Sequence, residues 1–236
     1  MGWRVDKHPR FLGDFYGEGF PDIIGFGETS VVVAKNKGDG TFEDPHIIQG
    51  LDQFTFAGGW DANKDVLTLA NVTSLARVDI VGFGGDGVYV AVNKGNGIVE
   101  PAKRVLDDFG STTWDVKKHR RVIIDLNGDG LGDIVGFGEE GVYVSTNRGN
   151  GTFGPVKLVS RDFGFENGWK IDVHPRYVTD VTGDGCADIV GFKDNGALVA
   201  FNDGEGNFGH AQSLTKDFSG EGWGASTSIR YVRRLS

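Results

Sequence analysis

The chain is short of several residue types, and each shortage removes a class of protein. Cysteine occurs once, at Cys186, so no disulfide framework can close within the chain. Six prolines and no collagen triplet leave the plentiful glycine to serve tight turns instead. No apolar run approaches membrane-spanning length, so membrane insertion is not expected. The start, Met1-Gly-Trp-Arg-Val-Asp-Lys-His8, carries no apolar leader segment. The expectation is a protein without a signal peptide, cytoplasmic or released by a non-classical route. Basic residues are outnumbered, 24 Lys and Arg against 33 Asp and Glu, for a net charge of −9. That balance speaks against nucleic acid or an anionic membrane as partner. No long stretch is free of glycine, which excludes a helical protein.

What is present is glycine, aromatic residues and a repeat. Glycine fills 39 of 236 positions, where about 7% is ordinary. Five tryptophans form a ladder at Trp3, Trp60, Trp114, Trp169 and Trp223, spaced 57, 54, 55 and 54 residues apart. An apolar block, Asp-Ile-(Ile/Val)-Gly-Phe, recurs at Asp22–Phe26, Asp79–Phe83, Asp133–Phe137 and Asp188–Phe192. An Asn-x-Gly-x-Gly block recurs at Asn36–Gly40, Asn93–Gly97, Asn147–Gly151 and Asn202–Gly206. Each Trp lies 23 residues before the Phe of its block and 33 before the Asn. All length variation therefore falls between the Asn block and the next Trp, as in stacked structural repeats.

In the third repeat, strands are predicted at His119–Leu126, Asp133–Phe137, Val142–Thr146 and Val156–Val159, with glycine-containing turns between them. Four antiparallel strands per repeat of about 55 residues describe a propeller blade. The fold class is thus all-β: a β-propeller of four four-stranded antiparallel blades plus an extra C-terminal strand. The expected organisation is one propeller-type domain over 1–236, with repeats 2–58, 59–113, 114–167 and 168–222 and a partial repeat 223–236.

Between the first two strands of repeat 3 runs an acidic loop. Asp125, Asn127, Asp129 and Asp133 place oxygen at positions 1, 3, 5 and 9, and Leu131 offers its carbonyl at position 7. Repeat 4 offers Asp180, Thr182, Asp184 and Asp188, with the carbonyl of Cys186 at position 7. Such hard oxygen donors around a glycine bend suit structural Ca²⁺. Glycine stands where an EF-hand needs its bidentate Glu, and strands flank the loop, so the motif is a hairpin calcium loop. Repeat 1 is a weaker version with Asp14, Tyr16, Glu18 and Asp22. Repeat 2 has Asn71, Thr73 and Leu75 and should bind no metal. An Asx-rich turn without an ion is the alternative for all of them.

The repeat resembles the FG-GAP units of integrin-like propellers. It is more closely similar to the fungal lectins typified by the Psathyrella velutina lectin, whose pattern residues 2–10, 22–27 and 36–42 follow. The resemblance spans the chain. It implies a propeller that binds terminal N-acetylglucosamine, with sialic acid as a further candidate, in pockets between blades, and calcium in the loops.

One rim of such blades would gather aromatic, His and Arg side chains, a mixture that suits sugars. The candidate carbohydrate-binding residues are His8, Arg10, His119, Arg121, His174 and Arg176, with Trp60, Trp114, Trp169 and Trp223. A tryptophan once per blade suits the core between blades equally well. Departures are Asp65-Val-Leu67 in place of His-Pro-Arg in repeat 2, Ser228-Ile-Arg230 in the terminal copy, and Lys193 after the Phe of repeat 4.

An enzyme is disfavoured, because the acidic residues sit in repeating loops rather than in a unique constellation. An integrin-like protein-interaction propeller and an engineered fragment are the competing classes. The first-type strand occurs five times and the others four, with Ile229–Leu235 left over. An unpaired strand edge templates another chain, so a homo-oligomer, in the simplest case a dimer, is expected.

Overall fold

A computed structural model describes residues 2–194 and 196–218. Trp223, the partial repeat and the leftover strand Ile229–Leu235 lie outside the described residues.

Each apolar block becomes the second strand of a four-stranded antiparallel sheet, and there are four such sheets. The first contains β1 (Arg10–Gly13), β2 (Asp22–Phe26), β3 (Val31–Ala34) and β4 (His46–Ile48). The second starts with β5 (Val66–Ala70), β6 (Asp79–Gly84) and β7 (Gly87–Ala91). A small ribbon, β8 (Asn93–Gly95) with β9 (Ile98–Val99), precedes its last strand, β10 (Lys103–Leu106). The third comprises β11 (Arg120–Ile124), β12 (Asp133–Phe137), β13 (Val142–Ser145) and β14 (Lys157–Ser160). The fourth comprises β15 (Arg176–Thr179), β16 (Asp188–Lys193), β17 (Gly196–Ala200) and β18 (Gln212–Thr215). Within each sheet the strands lie in chain order. The helical content of the described residues is a single 3₁₀ turn, Asp52–Phe54.

By packing, the chain divides into two compact units. Unit one holds Met1–Val116 with Asn147–Phe153, and unit two holds Lys117–Thr146 with Gly154–Ser236. In each unit one second strand is covered on both faces, whereas in β2 Ile23 is exposed. Every residue of β6 and of β12 is buried, which explains an apolar run in place of strict alternation.

The cover over that strand is aromatic. A Cβ added at Gly82 would stand 2.5 Å from Cη2 of Trp60 and 2.7 Å from Phe54, and one at Gly191 would meet Trp169 at 2.5 Å and Phe163 at 3.0 Å. The block glycine thus exists so that two rings can lie against the strand. Trp60, Trp114 and Trp169 are only 9%, 6% and 1% exposed. The indole nitrogens of Trp114 and Trp169 donate to Asp108 Oδ1 and to the Asp162 carbonyl.

The invariant spacing from block Asp to block Asn also has a structural cause. Asp22, Asp79 and Asp188 each accept the backbone N–H of the Asn that follows 14 residues later, at 2.8, 2.8 and 3.0 Å. The Asn93 and Asn202 side chains then reach back to the previous repeat. Asn93 Nδ2 donates to the carbonyls of Phe15 and Val78, and Asn202 Nδ2 to those of Leu126 and Ala187. Asn147 Nδ2 donates to the Val72 carbonyl. Within each unit one buried amide, Asn93 or Asn202, therefore ties the later sheet to the loop of the earlier one, satisfying carbonyls that would otherwise be buried unpaired.

Candidate functional site

The turn after each second strand holds a repeated polar cluster. In repeat 1 the ring of His8, 5% exposed, accepts the Arg4 backbone N–H at Nδ1, 3.0 Å away. The remaining proton must then sit on Nε2, which donates to Glu28 Oε2 at 3.2 Å. Repeat 4 uses the same device: Lys170 N–H donates to His174 Nδ1 at 3.1 Å, and Nε2 lies 3.5 Å from Asp194. In repeat 3 His119 Nε2 is 2.7 Å from Glu139 Oε2. A buried imidazole thus orients a carboxylate that is itself 40% and 42% exposed in repeats 1 and 3, and in repeat 3 Lys118 Nζ lies 3.7 Å from its second oxygen.

The connection to the next repeat completes the cluster. Phe56 N–H and Ala57 N–H donate to the carbonyls of Gly27 and Glu28, and Phe165 and Glu166 do the same to Gly138 and Glu139. This clamps a half-buried phenylalanine beside each His–Glu pair. Lys7 Nζ lies 3.8 Å from the Phe56 ring centre and Lys118 Nζ 4.6 Å from that of Phe165. Lys-His-Glu-Phe is therefore complete twice, as Lys7, His8, Glu28 and Phe56 in unit one and as Lys118, His119, Glu139 and Phe165 in unit two. In repeat 1 a cavity of about 180 Å³ opens onto this cluster, lined by Trp3, His8, Gly27, Glu28, Thr29 and Ser30 among others. Trp3 is 47% exposed there and packs edge-on against His8.

Repeat 2 departs as its sequence suggests. Asp65 replaces the histidine, accepting Asp61 N–H at 3.1 Å and the Ser111 hydroxyl at 2.7 Å, so both its oxygens are engaged within the protein. Lys193 extends β16 in repeat 4 and donates to the Asn167 carbonyl at 2.6 Å.

Among the sequence candidates, His8, His119 and His174 lie in these clusters. Arg10 is exposed and its guanidinium lies 5.9 Å from the Trp3 ring. Trp223 lies outside the described residues, and the remaining five candidates are buried. Trp60, Trp114 and Trp169 are core residues, because the ring faces a sugar would need lie against strand backbone and phenylalanine. Arg121 and Arg176 are 5% and 1% exposed. Arg176 donates to the Phe163 carbonyl at 2.9 Å and stacks 5.0 Å from the Phe137 ring. Desolvation, with Arg120 nearby, lowers its pKa to about 10. Missed from the sequence were the two Glu, Asp194, the two Lys and the two Phe. The signal existed: each histidine lies 20 residues before its carboxylate, in all three repeats.

The acidic loops also sort differently from the spacing. Asp22, Asp133 and Asp188 are buried at 2%, 0% and 0%. They accept the N–H of Phe15 and Tyr16, of Leu126, and of Val181 respectively, and so staple the loop from within. Asp14, Asp125 and Asp180 each gather turn N–H groups, with distances from 2.6 to 3.2 Å. Repeat 1 spends its other donors elsewhere: Tyr16 hydroxyl meets His46, and Glu18 pairs with Lys35 at 2.7 Å. No three His, Cys, Asp or Glu converge on a metal position among the described residues. Asp125, Asn127 and Asp129, with the Leu131 carbonyl, and their counterparts Asp180, Thr182, Asp184 and Cys186, remain exposed on the loop surface or at its edge. Desolvation and the surrounding carboxylates raise the Cys186 thiol above its ordinary pKa, which disfavours a nucleophilic thiolate.

Comparison with solved structures bears on this arrangement. A lectin from Agrocybe aegerita, whose structure is described as the basis of specific recognition of non-reducing terminal N-acetylglucosamine, superposes with a TM-score of 0.92 at 47% identity over 97% of this chain. The chain is similar in fold and sequence to a fungal lectin. It spans 57% of that lectin's length. The Photorhabdus luminescens Tc holotoxin pore matches over 92% of this chain and 10% of its own, with a TM-score of 0.61 at 18% identity, a likeness of fold alone. No protein-family model matches the chain. No curated protein matches it either.

Proposed function

We propose that the chain is a multivalent carbohydrate-binding protein for glycans ending in N-acetylglucosamine, its sheets being blades of a propeller-type array. The observation that carries this reading is the twofold recurrence of an intact Lys-His-Glu-Phe cluster in a chain so similar to an N-acetylglucosamine lectin. The chemistry fits a sugar: an oriented carboxylate accepts hydroxyl protons, the ammonium donates, and the phenylalanine or Trp3 edge covers pyranose C–H groups. Each pocket binds weakly, with Kd of about a millimolar to a micromolar, and repetition supplies avidity. Calorimetry with N-acetylglucosamine tests it, with Glu28→Gln and Glu139→Gln variants each removing one of the two complete sites. The absence of heat in the wild-type protein well above millimolar sugar overturns the reading and returns the chain to a protein-interaction class.

Three further elements belong to the proposal. Structural Ca²⁺ in the loops of repeats 3 and 4 is supported by their exposed oxygen donors at positions 1, 3 and 5. Sialic acid remains a second candidate sugar. Self-association is supported by the first sheet, where Leu12, Ile23 and Ile47 share one face and are 67%, 38% and 55% exposed. The matching Ile80 of the second sheet is 0% exposed, because that face packs into the core shared with the first sheet. A second copy presenting its own apolar sheet face would cover Leu12, Ile23 and Ile47.

A further inference from the structure

The two connections that carry the phenylalanine of a complete cluster are held in place by different means. The connection of repeat 1 latches itself. Thr55 Oγ1 donates to the Asp52 carbonyl at 2.6 Å and accepts the Gly58 N–H at 3.1 Å. The Thr55 carbonyl accepts the Trp60 N–H at 3.1 Å. In repeat 3 the residue between the two phenylalanines is Gly164, which has no hydroxyl to offer. Glycine is required there, because a Cβ would stand 2.4 Å from the Gly141 backbone nitrogen. The Gly164 carbonyl meets the Trp169 N–H only at 3.4 Å.

The following repeat supplies a brace in place of that latch. Arg176 Nη1 donates to the Phe163 carbonyl at 2.9 Å, two residues before Phe165. The guanidinium carbon lies 5.0 Å from the ring centre of Phe137, which leads into the turn carrying Glu139. Phe165 and Glu166 N–H join the two segments by donating to the Gly138 and Glu139 carbonyls at 3.0 and 2.9 Å. Both walls of the repeat 3 cluster therefore rest on one side chain. Nε and Nη2 of Arg176 are buried without a hydrogen-bond partner among the described residues, which leaves the Phe163 carbonyl as the acceptor of this guanidinium. Repeat 1 lacks such an arm. Arg176 pairs across its sheet with Gly191, and the counterpart that pairs with Gly82, in the core beside Phe54, is the buried Leu67. A buried guanidinium carries a desolvation cost that leucine avoids.

We propose that Arg176 is a positioning residue for the repeat 3 site, holding Phe165 and Glu139 in the arrangement that receives the sugar, a task that Thr55 performs in repeat 1. The proposal rests on the reading of the Lys-His-Glu-Phe cluster as a sugar site. Walls fixed before the ligand arrives remove an ordering cost from binding. Loss of one such hydrogen bond corresponds to roughly a fivefold change in Kd.

The experiment is amide NMR on the full chain. Without sugar, Arg176→Leu should speed hydrogen exchange at Phe165 and Glu166 by about tenfold more than in β12 and β13. Val144→Ala, a cavity in the core of the same unit, should speed all of these amides alike. With N-acetylglucosamine, the Phe165 amide reports on repeat 3 and the Phe56 amide on repeat 1. Arg176→Leu should weaken the titration at Phe165 roughly fivefold and leave that at Phe56 unchanged. Val144→Ala should alter neither. Exchange that rises uniformly in Arg176→Leu, or a Kd at Phe165 equal to that of wild type, overturns the positioning role. Wild-type amides that do not move at either cluster overturn the sugar reading instead, and the exchange comparison still decides whether Arg176 braces the connection. If Arg176→Leu fails to fold, Arg176→Met, which keeps the reach along Phe137 without the donor, takes its place in both arms.

Discussion

Replacing Gly191 by alanine should be among the most damaging single-methyl changes this protein can suffer. The new Cβ would stand 2.5 and 2.7 Å from two carbons of Trp169 and 3.0 Å from Phe163, where carbon contacts settle at about 3.5–4.0 Å. Relief needs a ring displacement of about 1 Å. Neither ring has a solvent side to move toward, since Trp169 is 1% and Phe163 0% exposed. Overpacking of this kind costs about 1–3 kcal/mol, and the enclosed rings place Gly191→Ala near the upper end. That is a fall in Tm of roughly 4–12 °C for a chain of this size. Gly25 is the internal control. Its added Cβ would meet Trp3 at 2.6 Å, but Trp3 is 47% exposed and can swing aside. Both are second-strand glycines outside the left-handed region, so the backbone benefit of alanine, about 0.5–1 kcal/mol, acts on both alike. Urea unfolding followed by circular dichroism should show Gly191→Ala less stable than Gly25→Ala by about 2 kcal/mol. Trp169→Phe should partly rescue Gly191→Ala in a double-mutant cycle. Equal stability of the two glycine variants within about 0.5 kcal/mol refutes the account of the tryptophan ladder.

Other outcomes follow from the same geometry. Wild type should gain stability relative to Arg176→Met as pH rises through about 10. The folded pKa lies below the unfolded value, so the buried charge costs stability below pH 10 and the cost fades as the folded state releases the proton. Paired urea titrations at pH 8 and 10.5 check the sign, and a wild type that loses stability relative to the variant contradicts it. Excess EDTA should lower the Tm measured in millimolar calcium if the exposed loop oxygens of repeats 3 and 4 hold the ion, because like charges then lose their counter-ion. An unchanged Tm removes calcium. Leu12→Glu should abolish self-association seen by light scattering at tens of micromolar protein, whereas a wild-type monomer at that concentration refutes the proposed second-copy contact.

Legibility in the sequence followed covalent spacing. The strands of repeat 3 were readable within a few residues because the Trp, Asp, Phe and Asn positions are locked by contacts inside one sheet. Side-chain burial was not readable in the same way. Tryptophan and arginine look like ligand contacts in a one-dimensional pattern, yet Trp169 and Arg176 are enclosed by Gly191, Phe163 and Phe137, which only the sheet packing reveals. The block aspartates illustrate the same limit. A carboxylate nine residues into an acidic loop reads as an ion ligand, but Asp133 and Asp188 point inward to backbone N–H groups. Glu28 and Glu139 escaped notice because the turn that brings each beside its histidine separates them by a whole hairpin arm. Phe56 and Phe165 lie in the connection whose length varies, where spacing carries least information.

The most direct measurement of the central claim is a crystal structure of the chain soaked with N-acetylglucosamine. The account places the sugar against Glu28 and Phe56 in repeat 1 and against Glu139 and Phe165 in repeat 3, with repeat 2 empty where Asp65 is engaged by Ser111. Sugar bound in repeat 2, or bound only away from the His–Glu pairs, would contradict it.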